Sequence, residues 1–367
     1  MKRLREDETE HVAKAAPENS IYPDAGKWVR GRLLGRGGFG SVHLATIIEP
    51  GSRLDVSGFS PVMAVKSTPK SRSTELENEK QHLQLFAGNP HIIRCFGDDV
   101  TITSTADQGN IQTLNLFLEY ASGGSLADMI KNTNEGLGLR ESQVRRYTES
   151  ILRGIHCIHK MGKVHCDLKP ANILLVKEDE RDDDFVAKIA DFGLAKKADD
   201  WEALVSARGT RMYLAPECVM IDFQEQYSDI WALGCIVLGM LTGRYPWDAN
   251  LSKKELDWKI QHERPFIPSS NSISKDAEDF LIKCFQKDPD DRPSAAMLLS
   301  HPFVCGPEII DLTSEEEEED PSEEEEEAEE DSCVEVNIPH PRHKRPAFSR
   351  PIFCPKPLAL FTIRGAA

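Results

Sequence analysis

The sequence contains no C-x-x-C pair. Its nine cysteines stand singly along 367 residues, a spacing that fits neither a disulfide framework nor a zinc site. It points to reduced thiols, and so to the cytoplasm and/or the nucleus. No apolar run is long enough to cross a bilayer, so no membrane insertion is expected. The most apolar stretch, residues 230–241, is short and reads as a buried helix. The first 19 residues are charged and polar and lack the apolar core of a secretory signal. No internal repeat is apparent. A broad basic field is missing too: 44 Lys and Arg face 61 Asp and Glu, which argues against nucleic acid as the main partner.

The acidic excess is local. Residues 315–331 hold 14 acidic side chains and no basic ones, and without them the net charge of −17 falls to −3. At 40% hydrophobic residues, the remainder can bury a substantial core. Residues 1–27 read as a flexible leader, rich in charge and without periodicity. Strand patterns follow from residue 28. They surround a glycine cluster, a polar Pro/Gly loop at 49–60 and a strand at 62–67. Residues 75–86 carry Leu76, Leu83 and Phe86 at helical spacing among charges, the pattern of an amphipathic helix. Two further strands are expected to flank a polar loop at 98–112, the second at 114–120. After Gly123-Gly124 the pattern becomes helical, with Val144, Tyr147, Ile151, Ile155 and Ile158 on one face of residues 141–161. More helices are expected at 229–242 and 275–286. The expected fold class is therefore α+β in two lobes: an N-lobe at 28–120 with a small antiparallel sheet and one helix, and a larger helical C-lobe at 124–303. A crevice between lobes is a common ligand site. Residues 304–367 form an acidic and then basic, Pro-rich tail that buries too little apolar surface to fold alone.

Five short motifs carry chemistry. Gly35-Arg36-Gly37-Gly38-Phe39-Gly40-Ser41-Val42 matches G-x-G-x-x-G-x-V. The same glycines occur in dinucleotide-binding turns, but those open a helix. Here β-type residues follow, so the loop turns back into a strand and its glycines let backbone N–H groups reach phosphates. Lys66, in Ala64-Val65-Lys66, can neutralise phosphate oxygens if a carboxylate holds it. Glu79 is preferred over Glu75 and Glu77, because Leu83 one turn on puts both on the inward face. A solvated surface pair is the ordinary alternative for any one Lys and Glu.

His165-Cys166-Asp167-Leu168-Lys169-Pro170-Ala171-Asn172 is the most informative segment. Phosphoryl transfer needs positioning and charge neutralisation above all. Asp167 can accept the hydrogen bond and then the proton of an attacking hydroxyl, Lys169 can steady γ-phosphoryl oxygens, and Asn172 can bind Mg²⁺. His165 is expected in the core rather than paired with Cys166 as a thiol nucleophile. Asp191-Phe192-Gly193, after a strand at 186–190, places a carboxylate where a metal could bridge two phosphates. Ala215-Pro216-Glu217 is expected to bury Glu217 against Arg292 in a structural pair, and Asp229 to brace the catalytic-loop backbone.

These motifs occur in the order and spacing of protein kinases. From the glycine loop through Phe303, about three quarters of the chain, the sequence resembles the eukaryotic protein kinase domain. Lys169 is similar to the Ser/Thr type. Residues 63–67, 93–97, 115–121 and 165–169 resemble the short plant MAP kinase kinase kinases of the MEKK-like group. The resemblance implies ATP and Mg²⁺ as cofactors and a protein partner, a MAP kinase kinase, phosphorylated on Ser/Thr in a stress or hormone signalling cascade. Carried over by position, Leu34, Val42 and Ala64 would cover the adenine and Leu174 would lie beneath it. Backbone groups of Glu119 and Ala121 would read its edge, with Leu118 as gatekeeper.

Cys166 departs from the family pattern, which in most regulated members has Arg there to pair with an activation-loop phosphate. The expectation is weaker dependence on that phosphate, with Ser206 the best loop phosphosite and Thr210 a contact to the catalytic loop. In the tail, Ser314 and Ser322 precede glutamate runs that acidophilic kinases favour, although an unmodified solubilising tail is the plainer reading. The acidic tract could also fold back as a salt-sensitive brake on residues 342–345 or on the kinase itself, and the basic cluster could be a nuclear import signal. Two competing functions are a pseudokinase scaffold, opposed by intact Lys66, Asp167, Asn172 and Asp191, and a small-molecule phosphotransferase, opposed by Ala215-Pro216-Glu217.

Overall fold

The computed structural model describes residues 26–306 apart from 39, 52–53, 55–59, 106–108, 134–136, 178–184, 200–206 and 270–271. The leader, the tail with Ser314, Ser322 and residues 342–345, and Ser206 lie outside the described residues.

Five antiparallel strands build the first lobe: β1 (Gly26–Gly37), β2 (Gly40–Pro50), β3 (Val62–Pro69), β4 (Cys95–Thr105) and β5 (Gly109–Leu118). Their order in the sheet is β1-β2-β3-β5-β4. Helix α1 (Thr74–Leu85) packs between β3 and β4 in sequence and buries Leu76, Glu79, His82 and Leu83. The polar loop expected at 98–112 is mostly strand. Val100 pairs with Leu114, Ile102 with Gln112 and Thr103 with Ile111. Threonine hid this extension: it is polar by composition, but its branched Cβ favours the pleated backbone. The 49–60 connection likewise carries a buried anchor, Leu54, which joins Trp28, Phe96 and Phe117 in a small cluster.

The second lobe is helical. It contains α2 (Leu126–Asn132), α3 (Glu141–Lys160), α4 (Pro216–Ile221), α5 (Gln226–Thr242), α6 (Lys253–His262), α7 (Lys275–Cys284), α8 (Ala295–Leu299) and α9 (Pro302–Cys305). Helix α5 is apolar on every side, and residues 228–241 are all buried, as an all-round apolar helix must be. Amphipathic α3 turns Val144, Tyr147, Ile151, Ile155 and Ile158 into the same core. Short strand pairs lie on this platform: β6 (Lys163–Val164) with β9 (Lys196–Lys197), and β7 (Ile173–Lys177) with β8 (Phe185–Ile189). The turns leaving β6 and β8 carry the two aspartates of the candidate site.

Candidate active site

The loop after β6 is fixed by the buried helix beneath it. Asp229, in the first turn of α5, accepts hydrogen bonds from the backbone N–H groups of His165 (2.9 Å) and Cys166 (3.2 Å). Cys166 has φ 70°, the left-handed region. His165 is fully buried, its Nε2 lies 3.1 Å from the Ala190 carbonyl, and its ring meets Phe192 edge-on at 4.8 Å. The geometry leaves His165 in the core and gives Cys166 no imidazole partner. Beyond it, Asp167 has a fully engaged carboxylate. Oδ1 accepts from the N–H and hydroxyl of Thr210, both at 2.8 Å. Oδ2 accepts from Lys169 at 2.6 Å and from the Asn172 amide at 3.2 Å. Lys169 also donates to the Thr210 hydroxyl at 2.9 Å.

Between the lobes lies a cleft of about 600 Å³. Its ceiling includes Leu34, Gly35, Gly37, Gly40, Val42 and Ala64, its rear wall Leu118, Glu119 and Ala121, and its floor Asn172, Leu174 and Asp191. Lys66 reaches from β3 to the back of the cleft, where its ammonium donates to Glu79 Oε2 at 2.6 Å and Asp191 Oδ1 at 2.8 Å. Glu75 and Glu77 do not bond it; Glu77 is engaged by Lys70 and Ser73. Burial works against the charge on Lys66, but the two carboxylates outweigh it and hold the ammonium above its ordinary range. Burial would also raise the Asp191 carboxyl, yet Lys66 above all holds it below the usual carboxylate range. Asp191 and Lys66 are thus a charged pair spanning both lobes.

The glycines differ in kind. A Cβ on Gly40 would lie 2.3 Å from the Ser67 carbonyl, and Gly40 has φ 138°, so β2 can start against β3 only with glycine there. Gly35 and Gly37 have nothing within 4 Å of a built Cβ. Their lack of a side chain keeps the backbone open to the cleft.

Residues 28–304 match the protein kinase domain. The chain belongs to the protein kinase family. Among similar proteins, mitogen-activated protein kinase kinase kinase 20 of Arabidopsis thaliana is 43% identical over 286 residues, covering 76% of this chain and 78% of that one. Mitogen-activated protein kinase kinase kinase 18 of the same plant is 36% identical, covering 77% and 78%. The longer mitogen-activated protein kinase kinase kinase 2 is 33% identical, with 80% of this chain matching 43% of its length. The chain is a Ser/Thr protein kinase resembling the MAP kinase kinase kinases, and its cleft is that of an ATP-binding domain.

Several side chains that build this kinase's centre have no motif to announce them. Asn78, beside Glu79 on α1, sends its amide to the carbonyls of Phe192 (3.3 Å), Gly193 (2.9 Å) and Ala195 (2.9 Å). It ties the helix that holds Lys66 to the segment that holds Asp191. A polar residue on the inward side of an amphipathic helix was the available signal. Gln224 and Glu225 also went unread; both are buried and both reach the segment after Asp191. In the ion pair of Glu217 with Arg292, the guanidinium meets both carboxylate oxygens, at 2.6 and 2.7 Å.

Proposed function

We propose that this kinase transfers the γ-phosphoryl group of ATP to Ser/Thr on the activation segment of a MAP kinase kinase. The observation that carries the reading is the assembled bridge of Glu79, Lys66 and Asp191 at 2.6 and 2.8 Å. Such a bridge supports an active enzyme over a scaffold, because it presents one cation and one carboxylate together to the phosphates. The names of the similar proteins support the substrate class.

In this reading the adenine lies between Leu34, Val42 and Ala64 above and Leu174 below. Its edge meets the backbone of Glu119 and Ala121, and Leu118 closes the back. Gly35, Gly37 and Gly40 let the loop come down on the phosphates, and Lys66 neutralises their inner oxygens. The Asp167 carboxylate, oriented by Thr210 on Oδ1 and by Lys169 and Asn172 on Oδ2, orients the substrate hydroxyl and takes its proton. Lys169, already between Asp167 and Thr210, steadies the transferred group. Asn172 commits its amide nitrogen to Asp167, which leaves its amide oxygen for the cleft. That oxygen and the Asp191 carboxylate are hard donors of the kind Mg²⁺ takes. Bound there, Mg²⁺ would offset phosphate charge. The unpaired cysteines among the described residues support a reducing compartment, cytoplasm or nucleus.

The test is transfer of labelled phosphate from ATP and Mg²⁺ to a generic protein substrate, with Asp191→Asn beside the wild type, followed by a panel of MAP kinase kinases. Transfer by the wild type that Asp191→Asn abolishes supports the reading. No transfer by either protein overturns it.

A further inference from the structure

The segment between Asp191 and Glu217 has to be pinned against the catalytic loop for Thr210 to sit on Asp167. Cys166 cannot pin it through a phosphate. Its side chain carries no charge, is buried and leans on the Val164 carbonyl at 3.7 Å. Lys196, the buried one of the two β9 lysines, is also unavailable. It is buried against Glu225 at 2.8 Å, with both side chains under 10% exposed.

Other contacts replace them. They come from the turn between α4 and α5. Gln224, 5% exposed, donates its amide to the Cys166 carbonyl at 2.9 Å and the Arg208 carbonyl at 3.1 Å, and its amide oxygen accepts the Arg208 N–H at 3.0 Å. One carboxamide therefore bonds the catalytic loop and the activation segment together. Glu225 also accepts the Asp199 N–H at 3.1 Å, and Asp222 accepts the Ala207 N–H at 3.0 Å. Between these anchors, Gly209 presses onto the loop. A Cβ there would stand 2.4 Å from the Cys166 carbonyl oxygen. Thr210, the next residue, then meets Asp167 with both its N–H and its hydroxyl.

We propose that Gln224 is a positioning residue for phosphoryl transfer: its carboxamide does the work that an arginine and a loop phosphate do together in other kinases, and Glu225 neutralises the buried Lys196 by pairing with it. The active arrangement of residues 207–210 then needs no phosphate on the loop. The three Gln224 bonds are made by a neutral carboxamide that is itself buried, so salt screening acts on them far less than on an exposed ion pair. This inference rests on the kinase reading above. It adds how the reaction centre is held.

The experiment compares phosphatase-treated full-length wild type with Gln224→Leu, which keeps the bulk and loses all three hydrogen bonds. Mass spectrometry first establishes that residues 194–217 carry no phosphate. Wild type so treated is expected to retain its kcat. Gln224→Leu is expected to lose about tenfold to a hundredfold in kcat, the scale of one or two lost buried hydrogen bonds. Its KM for ATP stays within about twofold, because no cleft residue changes. Equal kcat in the two proteins overturns the proposal, as does wild type that falls silent on phosphatase treatment while Asp191→Asn and untreated wild type behave as the kinase reading requires. Hydrogen exchange gives a second readout that needs neither the variant nor activity. The amides of Ala207, Arg208 and Thr210 in dephosphorylated wild type are expected to exchange slowly. Exchange at the rate of an open loop overturns the inference by itself.

Discussion

Arg292→Leu tests whether the far end of the activation segment is held by a buried charge pair. The Arg292 guanidinium is fully buried and lies over the Trp231 ring at 5.2 Å. It bonds both Glu217 oxygens, the Gln286 carbonyl at 2.8 Å and the Tyr227 carbonyl at 3.0 Å. Leucine keeps part of the apolar contact and none of the donors. Stranding one member of a buried pair costs about 3–5 kcal/mol, and the Gln286 carbonyl, deprived of its Arg292 donor, adds about 1 kcal/mol. A loss near 5 kcal/mol corresponds to a fall of about 10–20 °C in thermal midpoint for a domain of this size, read at fixed scan rate because large domains often unfold irreversibly. The sign of a second substitution decides the cause. If a stranded Glu217 charge dominates, adding Glu217→Gln to Arg292→Leu raises the midpoint, although Glu217→Gln alone lowers it. A double variant no more stable than Arg292→Leu would refute the ion-pair explanation and leave lost packing on Trp231 as the cause.

Asn78→Leu removes the donor shared by the Phe192, Gly193 and Ala195 carbonyls, and is expected to cut kcat about tenfold or more; an unchanged kcat in steady-state assays would deny that Asn78 aligns Asp191. Gly209→Ala forces a Cβ to within 2.4 Å of the Cys166 carbonyl oxygen at a φ of 101°, so the Thr210–Asp167 contact shifts and kcat/KM falls on the order of a hundredfold. Burial pushes the Cys166 thiol well above its ordinary range, so it stays protonated at pH 8 and resists iodoacetamide in the folded protein, while exposed Cys305 reacts; peptide mapping distinguishes the two.

What was legible in the sequence is what chemistry constrains by residue type. A phosphate neutraliser has to be a cation, a proton acceptor a carboxylate, and a close backbone approach a glycine, so Lys66, Asp167, Asp191 and Gly40 stand out even in a single chain. Glu79 could be chosen over Glu75 and Glu77 because helical spacing with Leu83 fixes one face. The β4–β5 extension was illegible because threonine counts as polar while its branched Cβ favours strand. Asn78, Gln224 and Glu225 were illegible for another reason. They act on backbone groups or on a partner far along the chain, and any residue with a suitably placed amide or carboxylate could do so. Position alone makes them functional, and position comes only with the fold.

The same distinction explains how the chain can tolerate cysteine beside its catalytic aspartate. The left-handed backbone at Cys166, φ 70°, strains a residue other than glycine by about 1 kcal/mol or more. Bonds on both sides of the peptide offset that strain. Asp229 takes the N–H groups of His165 and Cys166, and Gln224 donates to the Cys166 carbonyl. Both come from the well-packed α5 or the turn leading into it, so the catalytic loop takes its shape from the C-lobe core and not from the side chain at position 166. That side chain is then free to lose its charge without moving Asp167. An arginine restored by Cys166→Arg would enter a space already filled, beside a Lys196 already paired with Glu225. It should therefore lower stability without making activity depend on loop phosphate. If Cys166→Arg instead produced an enzyme inactive after phosphatase treatment and active after loop phosphorylation, the backbone clamp would not be what holds the centre.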